Sequence, residues 1–529
     1  MVDSSTGISS ERVSRTIGRE AQKNNILAAK IVADIVKTTL GPKGMDKMLV
    51  DSEGNITVTN DGVTILEEME IEHPAAKMMV EIARTQEKEV GDGTTTAALL
   101  AGTLLEKAEG LLEKKVHPTL IVEGYRLASE KAEKILEDIS INVDNRSVLN
   151  HIVMTAMTGK GAEGNKERLA QLVVEAVDQV ADGNNVNLND IKMEKVVGDS
   201  VRDSELVQGM VLQKSRVNKE MPPKVENARV LLVDFPLEIR SPEMETKISI
   251  STPEQLEAFI QAEEVHLKEM VDKITGTDAN VVFCQKGIDD VAQYYLAKKG
   301  IFACRRVAKS DMEKLARATS GKVVSNLHDI SGDQLGKAGE IEEVSKGGES
   351  FVYVRRCDNP KAVTLILKGG TQHLVEEIER AVKDGLGDVV AAVRSGKIVP
   401  GGGAVEMELA RRLRHFARSI GGKMQLAVEE FANALESIPE TLAENAGLDP
   451  IEILTELRRR HEAGAVRDGL NLFKNTIEDA YQAGIVEPVK VKQQAVSSAG
   501  EVAMMILRID DVLISKGKGE EKKVREMID

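Results

Sequence analysis

Gly91-Asp92-Gly93-Thr94-Thr95-Thr96, followed at once by a helix-forming run to Glu113, is the stretch from which the rest of this chain is read. Two glycines let the backbone approach an anion closely. The N–H groups opening the following helix point at such an anion, and the helix dipole favours negative charge there. Asp92 on its own would repel a phosphate, so a divalent cation between the two reconciles them. In isolation the same residues also read as an Asp-Gly turn with Thr94 as a helix N-cap.

Three further loops share this chemistry. Thr39-Leu40-Gly41-Pro42-Lys43-Gly44-Met45-Asp46 is a tight loop offering backbone N–H groups and an ammonium; a plain helix stop at Gly41 is the alternative. Asn60-Asp61-Gly62 follows a hairpin read as Lys47–Asp51, a turn at Ser52–Asn55 and Ile56–Thr59, with an Asx-type turn as the alternative for Asp61. Pro400-Gly401-Gly402-Gly403-Ala404 enters an amphipathic helix from Val405 to Phe416 and reads as ligand loop or hinge. No GxxxxGK[ST] and no GxGxxG after a strand occurs, so the loop set is of another kind.

These motifs resemble those of group II chaperonins, the family of the archaeal thermosome and the eukaryotic cytosolic chaperonin. The resemblance rests on TLGPKGMDKML (Thr39–Leu49), NDGVTIL (Asn60–Leu66), GDGTTT (Gly91–Thr96) and PGGGAVE (Pro400–Glu406). It continues through HPAAKM, MTGKG, QKGIDD, LAENAGLDP and LRIDDV, in order, over nearly the full length.

Composition is compatible. At 529 residues the chain exceeds one core, and about two to four domains are expected. Aromatics make up only 2% with no Trp, so aliphatic residues and Met must build the cores. A net charge of −16 argues against bulk nucleic-acid binding. Cys284, Cys304 and Cys357 have no CxxC spacing, which indicates neither zinc nor a disulfide framework and fits a reducing, cytoplasmic setting. Met1–Ser10 lacks an apolar h-region, and no run of 18 apolar residues suggests a membrane span.

The chain reads as nested. Long helices fill about 17–138, including Ala75–Lys88 and Thr94–Glu113. Short β-rich runs at Ala228–Phe235, Asn280–Cys284, Lys322–Ser325 and Phe351–Arg355 alternate with helices between Pro222 and Lys361, and helices return from Val405. The expected fold is multidomain α+β. The resemblance implies a mostly helical equatorial domain (1–145 and 402–529), a small α/β intermediate domain (146–214 and 365–401) and an α/β apical domain (215–364). Thr252 as cap, Pro253 in the first turn and Gln255 closing a capping box predict a helix start. Leu256, Phe259, Ile260, Leu267, Met270, Val271 and Ile274 then recur at helical spacing. An ordinary packed helix is the alternative; the resemblance makes about Ser241–Ile274 a helical protrusion serving as a built-in lid.

The resemblance also implies roles. Asp92 corresponds to the metal-binding aspartate. Leu40, Gly41, Pro42, Gly93, Thr94, Thr95 and Thr96 correspond to residues wrapping the phosphates. Gly402, Gly403, Glu487 and Lys492 lie around base and ribose. Gly159 and Lys160, in TGKG, contact the γ-phosphate. Asp384 is the implied catalytic aspartate and Asp61 the second carboxylate near the attacking water; Asp388, one turn on, is a decoy. From surface preference alone, Asp384 reads as a solvated helix face. Gly385 stands where the family often has Ala, a departure that weakens the helix by roughly 1 kcal/mol. The implied activity is ATP hydrolysis with ATP/ADP and Mg2+, folding non-native polypeptides inside two stacked rings of eight or nine copies or paralogues, without nucleic acid or membrane. The Lys/Glu-rich Ser515–Asp529 is expected to be disordered. A stand-alone phosphohydrolase or kinase and an ATP-independent scaffold are the rival classes.

Overall fold

The computed structural model describes residues 13–143, 145–160, 163–239, 252–346 and 348–515. Contacts within the chain divide it into two units: Met1–Glu163 together with Gly387–Asp529, and the inserted Gly164–Leu386.

The first unit is a helical assembly. Arg19–Lys37, Pro74–Glu89, Pro118–Ile139, Ala404–Ile420, Gly422–Leu435 and Val489–Leu507 pack with Thr94–Glu113 around one core. Helix Thr94–Glu113 has the bounds expected from its pattern, and residues on all its sides are buried, as an apolar helix in the middle of a core should be. Lacking large aromatics, this core gains density by close backbone approach. A methyl on Gly102 would overlap the Ala33 side chain, and one on Gly124 would come within 2.5 Å of the Ala427 Cβ. The aromatic exception is Tyr125, edge-on to Phe431 with ring centroids 5.5 Å apart. Its hydroxyl donates to the Leu104 carbonyl at 2.7 Å, and burial pushes its pKa up.

Small sheets decorate this unit. The expected hairpin forms as Lys47–Val50 against Ile56–Thr59, with Lys47 opposite Thr59. Asp51 accepts from the Glu53 and Asn55 N–H groups to close its turn. Met48, Val50, Ile56 and Val58 are exposed. Val13–Ile17 pairs antiparallel with Asp511–Ser515, nearly the full length of the chain away, and Arg15 grips Asp511 through two nitrogens. The region after Val405 is not purely helical: Asp468–Asn471 and Thr476–Asp479 form a second hairpin, and Val486–Pro488 pairs with Lys397–Pro400.

The inserted unit is the α/β part. Lys224–Val233 runs parallel to Val281–Cys284, and Val281–Cys284 parallel to Phe302–Cys304. On its other side Gly336–Lys346, Glu349–Arg355 and the edge strand Met210–Leu212 add in antiparallel order. Central strands such as Val281–Cys284 are buried on both faces, which explains their continuous apolar runs. A second sheet centres on Val363–Gly369, parallel to Ile191–Val197 and antiparallel to Glu205–Val207. Helix Pro253–Thr275 begins as expected, with Thr252 Oγ1 accepting from the Gln255 N–H at 3.3 Å. Leu267, Met270, Val271 and Ile274 pack into the sheet, whereas Phe259 and Ile260, nearer its start, are exposed. The expected protrusion's residues 241–251, like the terminal tail from 516, lie outside the described residues.

Candidate functional site

The four loops converge on one cleft of the first unit. Helix Pro74–Glu89 stops at Val90, and Gly93 caps the next helix with φ +80°, a left-handed backbone that favours glycine. Thr94 is therefore the first helical residue and not the cap. Because Gly93 has no side chain, no cap bond occupies the opening N–H groups of Thr94–Thr96. Gln86 is fully buried and holds the loop: its Nε2 donates to the Asp92 carbonyl at 2.8 Å and to that of Val491 at 3.3 Å.

Asp61 sits at the N-cap of the helix Gly62–Glu67, as the Asx-turn alternative anticipated. Its Oδ2 accepts from the Thr64 N–H at 2.9 Å and from the Thr64 hydroxyl at 2.6 Å, and the same residue lines the cleft. A methyl on Gly62 would come within 2.6 Å of the Thr95 hydroxyl, so this turn lies directly on the first one. Asn60 Nδ2 donates to the Gly159 carbonyl at 3.1 Å. Gly159 in turn abuts Pro42, since a methyl there would sit 2.6 Å from the Pro42 Cα. Helix Arg19–Lys37 ends before the Leu40–Pro42 loop, and Asn445 pins that junction by donating to the carbonyls of Lys37 and Leu40. Gly402 has φ +63°, and its carbonyl accepts from the Leu470 N–H at 2.8 Å.

Leu40, Gly41, Pro42, Asp61, Asp92, Gly93, Thr94, Thr95, Thr96, Lys160, Gly402, Gly403, Glu487 and Lys492 all line this cleft. Asp384 does not belong to this unit. It is carried by the inserted unit on helix Gln372–Ser395, where it is buried and not on a solvated face. That helix runs unbroken through Gly385. Further along it, Gly387 presses on the loop before Asp92, where a methyl would come within 2.7 Å of the Val90 carbonyl.

Sequence reasoning missed several lining residues, among them Ile438, Leu442, Leu470, Phe473 and Ile485. It also missed Glu406, which completes a buried triad: Lys492 Nζ stands 2.9 Å from Glu406 Oε1 and 2.8 Å from Glu487 Oε2. The stretch EPVKVK (Glu487–Lys492) gave no hint of it, because the third member lies about eighty residues upstream in PGGGAVE. Burial works against the Lys492 charge, but the two carboxylates outweigh it and hold the ammonium pKa above normal. Burial raises the Glu487 pKa; Lys492 opposes the rise, and Glu406 and Asp92 add to it.

Charged residues lining the cleft are Asp61, Asp92 and Glu487 against Lys160 and Lys492, one negative charge in excess. A polyphosphate entering it needs added positive charge. Among the described residues no group of three or more His, Cys, Asp or Glu forms a metal cage. One or two carboxylates beside a row of free N–H groups suit a hard divalent cation that takes its remaining ligands from phosphate and water, the habit of magnesium. No described helix is long and apolar enough to cross a membrane.

Comparison with known proteins agrees with this architecture. The TCP-1/cpn60 chaperonin family pattern matches residues 32–517. A thermosome subunit of Methanopyrus kandleri is 56% identical over 512 residues, covering 96% of this chain and 94% of that protein. Thermosome subunit beta of Methanothermobacter thermautotrophicus is 54% identical, covering 98% and 96%. Thermosome subunit beta of Archaeoglobus fulgidus is 54% identical, covering 97% and 95%.

Proposed function

Since the chain belongs to the TCP-1/cpn60 chaperonin family, as an archaeal-type group II chaperonin, we propose that it is a chaperone driven by magnesium-dependent ATP hydrolysis. The observation that carries this reading is the convergence of four loops, scattered from Thr39 to Ala404, on one cleft with a net negative lining and an uncapped helix start.

In this reading the N–H groups of Gly93–Thr96 and the Leu40–Pro42 loop wrap the phosphates, and Lys160, beside Gly159, meets the terminal one. Asp92 holds magnesium, which when bound neutralises phosphate charge and polarises the reacting phosphoryl group. Gly402 and Gly403 let the backbone close on base and ribose, with Glu487 and Lys492 alongside. Asp61, its Oδ2 engaged by Thr64, is the fixed carboxylate near the attacking water. Asp384 orients or deprotonates that water. Because it belongs to the inserted unit, turnover would require a closing movement that links chemistry to conformation.

The finer domain division follows the resemblance: equatorial 1–145 with 402–529, intermediate 146–214 with 365–401, apical 215–364 with its lid at about 241–274. Exposed Phe259 and Ile260 on that stretch suit contact with non-native polypeptide or with neighbouring lids. The exposed apolar hairpin Lys47–Thr59 suits assembly with copies or paralogues of the chain in two stacked rings of eight or nine. A cytoplasmic setting fits three buried free cysteines.

The test is a single substitution read in two assays. Asp384→Ala should leave ATP affinity within about threefold of the parent while turnover falls at least about 100-fold, the scale of lost general-base help. Unchanged steady-state hydrolysis would remove Asp384 from this role, and hydrolysis indifferent to magnesium would remove Asp92 from its own.

A further inference from the structure

Gln86 lies in the last turn of the helix Pro74–Glu89 and is fully buried, yet its side-chain amide is only half used. Nε2 donates to the carbonyls of Asp92 and Val491, at 2.8 and 3.3 Å, while the buried Oε1 has no hydrogen-bond partner. Exchanging the two amide atoms would set Oε1 against both carbonyls, so the neighbours fix which way the amide faces. An unmet buried acceptor costs more than an apolar side chain of the same shape would. The residue is therefore worth keeping only for its donors.

Those donors set the direction of one peptide. The main-chain carbonyl of Gln86 also accepts from the Val90 and Gly91 N–H groups, at 3.0 and 3.3 Å, so a single residue grips the three that precede Gly93. No peptide bond among the described residues is cis. In a trans peptide the carbonyl and the N–H point opposite ways. With the Asp92 carbonyl drawn onto buried Gln86, the Gly93 N–H is turned away from the core, toward the cleft that Asp92 and Gly93 line. It donates to no backbone carbonyl among the described residues. A methyl on Gly93 would come within 3.0 Å of Gln86 Nε2 and 2.8 Å of Val491 Cγ1, so the glycine rests on the same support. The second bond of Nε2 ties that support to the residue before Lys492, which also lines the cleft.

We propose that Gln86 is a positioning residue: it holds the Asp92–Gly93 peptide with its N–H aimed at a phosphate oxygen. The inference rests on the nucleotide reading above and deepens it. Released from the amide, the peptide could turn its carbonyl to the cleft, where it would repel phosphate and withdraw one donor.

The assembled full-length protein is titrated calorimetrically with ADP and, separately, with inorganic tripolyphosphate, both with magnesium. Gln86→Met keeps the shape and removes both donors. It is expected to weaken the two ligands alike, by about 10-fold to 100-fold, the range for one hydrogen bond to a charged group. The number of sites per chain should stay as in the parent, which separates a misdirected N–H from a misfolded fraction. Gln86→Glu supplies the second arm. At about pH 5.5, where burial keeps its carboxyl protonated, the O–H should replace the amide donor and bring affinity within about threefold of the parent; ionisation at higher pH should lose it. The parent is titrated at each pH, because Asp61, Asp92, Lys160, Glu487 and Lys492 line the same cleft. Parental affinity in Gln86→Met, fewer sites at unchanged affinity, or a Gln86→Glu no better than Gln86→Met in acid would overturn the positioning role while leaving the nucleotide reading intact. Failure of the unaltered protein to bind either ligand would overturn both.

Discussion

Glu406 and Glu408 stand two residues apart on the helix Ala404–Ile420, both buried, and they are held in opposite ways. Glu408 is saturated. Arg411 donates to both its oxygens at 3.0 and 2.7 Å, Arg412 donates at 2.6 Å, and His461 Nδ1 lies 3.2 Å away. His461 Nε2 also meets the Asp468 carbonyl at 2.9 Å, fastening the helix to the hairpin strand. Burial alone would raise the Glu408 pKa, but His461 and the two arginines overcome it and hold the carboxyl at about 2. Glu406 shares with Glu487 a lysine that lines the cleft, and its Oε2 has no hydrogen-bond partner. The first cluster spends its donors on holding elements together. The second is left with unmet acceptor capacity beside a ligand cleft, where an undersatisfied group has a reason to persist.

Removing the saturated carboxylate should produce the largest effect. Glu408→Ala strips Arg411 and the buried His461 ring of their shared carboxylate partner and leaves Arg412 with Asp138 alone, and should lower stability by about 3 kcal/mol in chemical denaturation, because breaking a buried network strands its remaining members. ATP affinity should change little, since the cluster does not line the cleft. A large loss of affinity at unchanged stability would erase the contrast between the two clusters.

A smaller effect, on the order of 2–3 kcal/mol, should appear in acid. The folded Glu408 carboxyl lies near 2 against an ordinary 4.5. Between those values the unfolded chain binds more protons, so the stabilisation is complete above about 4.5 and lost as pH falls toward 2. Glu408→Gln should flatten the acid limb of a stability–pH curve in that window. An unaltered slope would mean that other carboxylates carry acid unfolding.

Glu406→Gln should give the smallest response. Lys492 keeps Glu487 as a partner at 2.8 Å, so stability should shift by no more than about 1 kcal/mol. Thermal or urea unfolding reads the difference directly. A loss as large as that of Glu408→Ala would show that the cleft-side triad is structural after all.

Local chemistry was legible in the sequence, and pairing across distance was not. Gly91–Thr96, Asn60–Gly62 and Gly401–Gly403 announce themselves because each loop gathers its special residues within a few positions. Helix Thr94–Glu113 and the Ile56 hairpin followed from apolar spacing and a polar turn. The Asp468–Asp479 hairpin escaped because DGLN and TIED are short, polar and without alternation, so tertiary contacts with Gly402 and His461 decide their conformation. The same reason hid Phe473, which reaches the cleft on the turn of that hairpin. Asp384 shows the converse failure: an aspartate on a polar helix stretch reads as solvated, whereas its side chain is buried. The Thr94 cap reading failed by one position, since the glycine itself adopts the capping conformation.

The antiparallel pairing of Val13–Ile17 with Asp511–Ser515 has a consequence for how the polypeptide could be rewired. Val13 lies opposite Ser515, so a short linker could join these two residues directly and fresh ends could be cut at the exposed turn Ser52–Asn55. Such a circular permutant would run from Asn55 through the insert to Ser515 and then, across the linker, from Val13 to Ser52, so that the first helix of the core is made last. Its folding would then report whether the order of synthesis matters to a unit whose core draws on both halves.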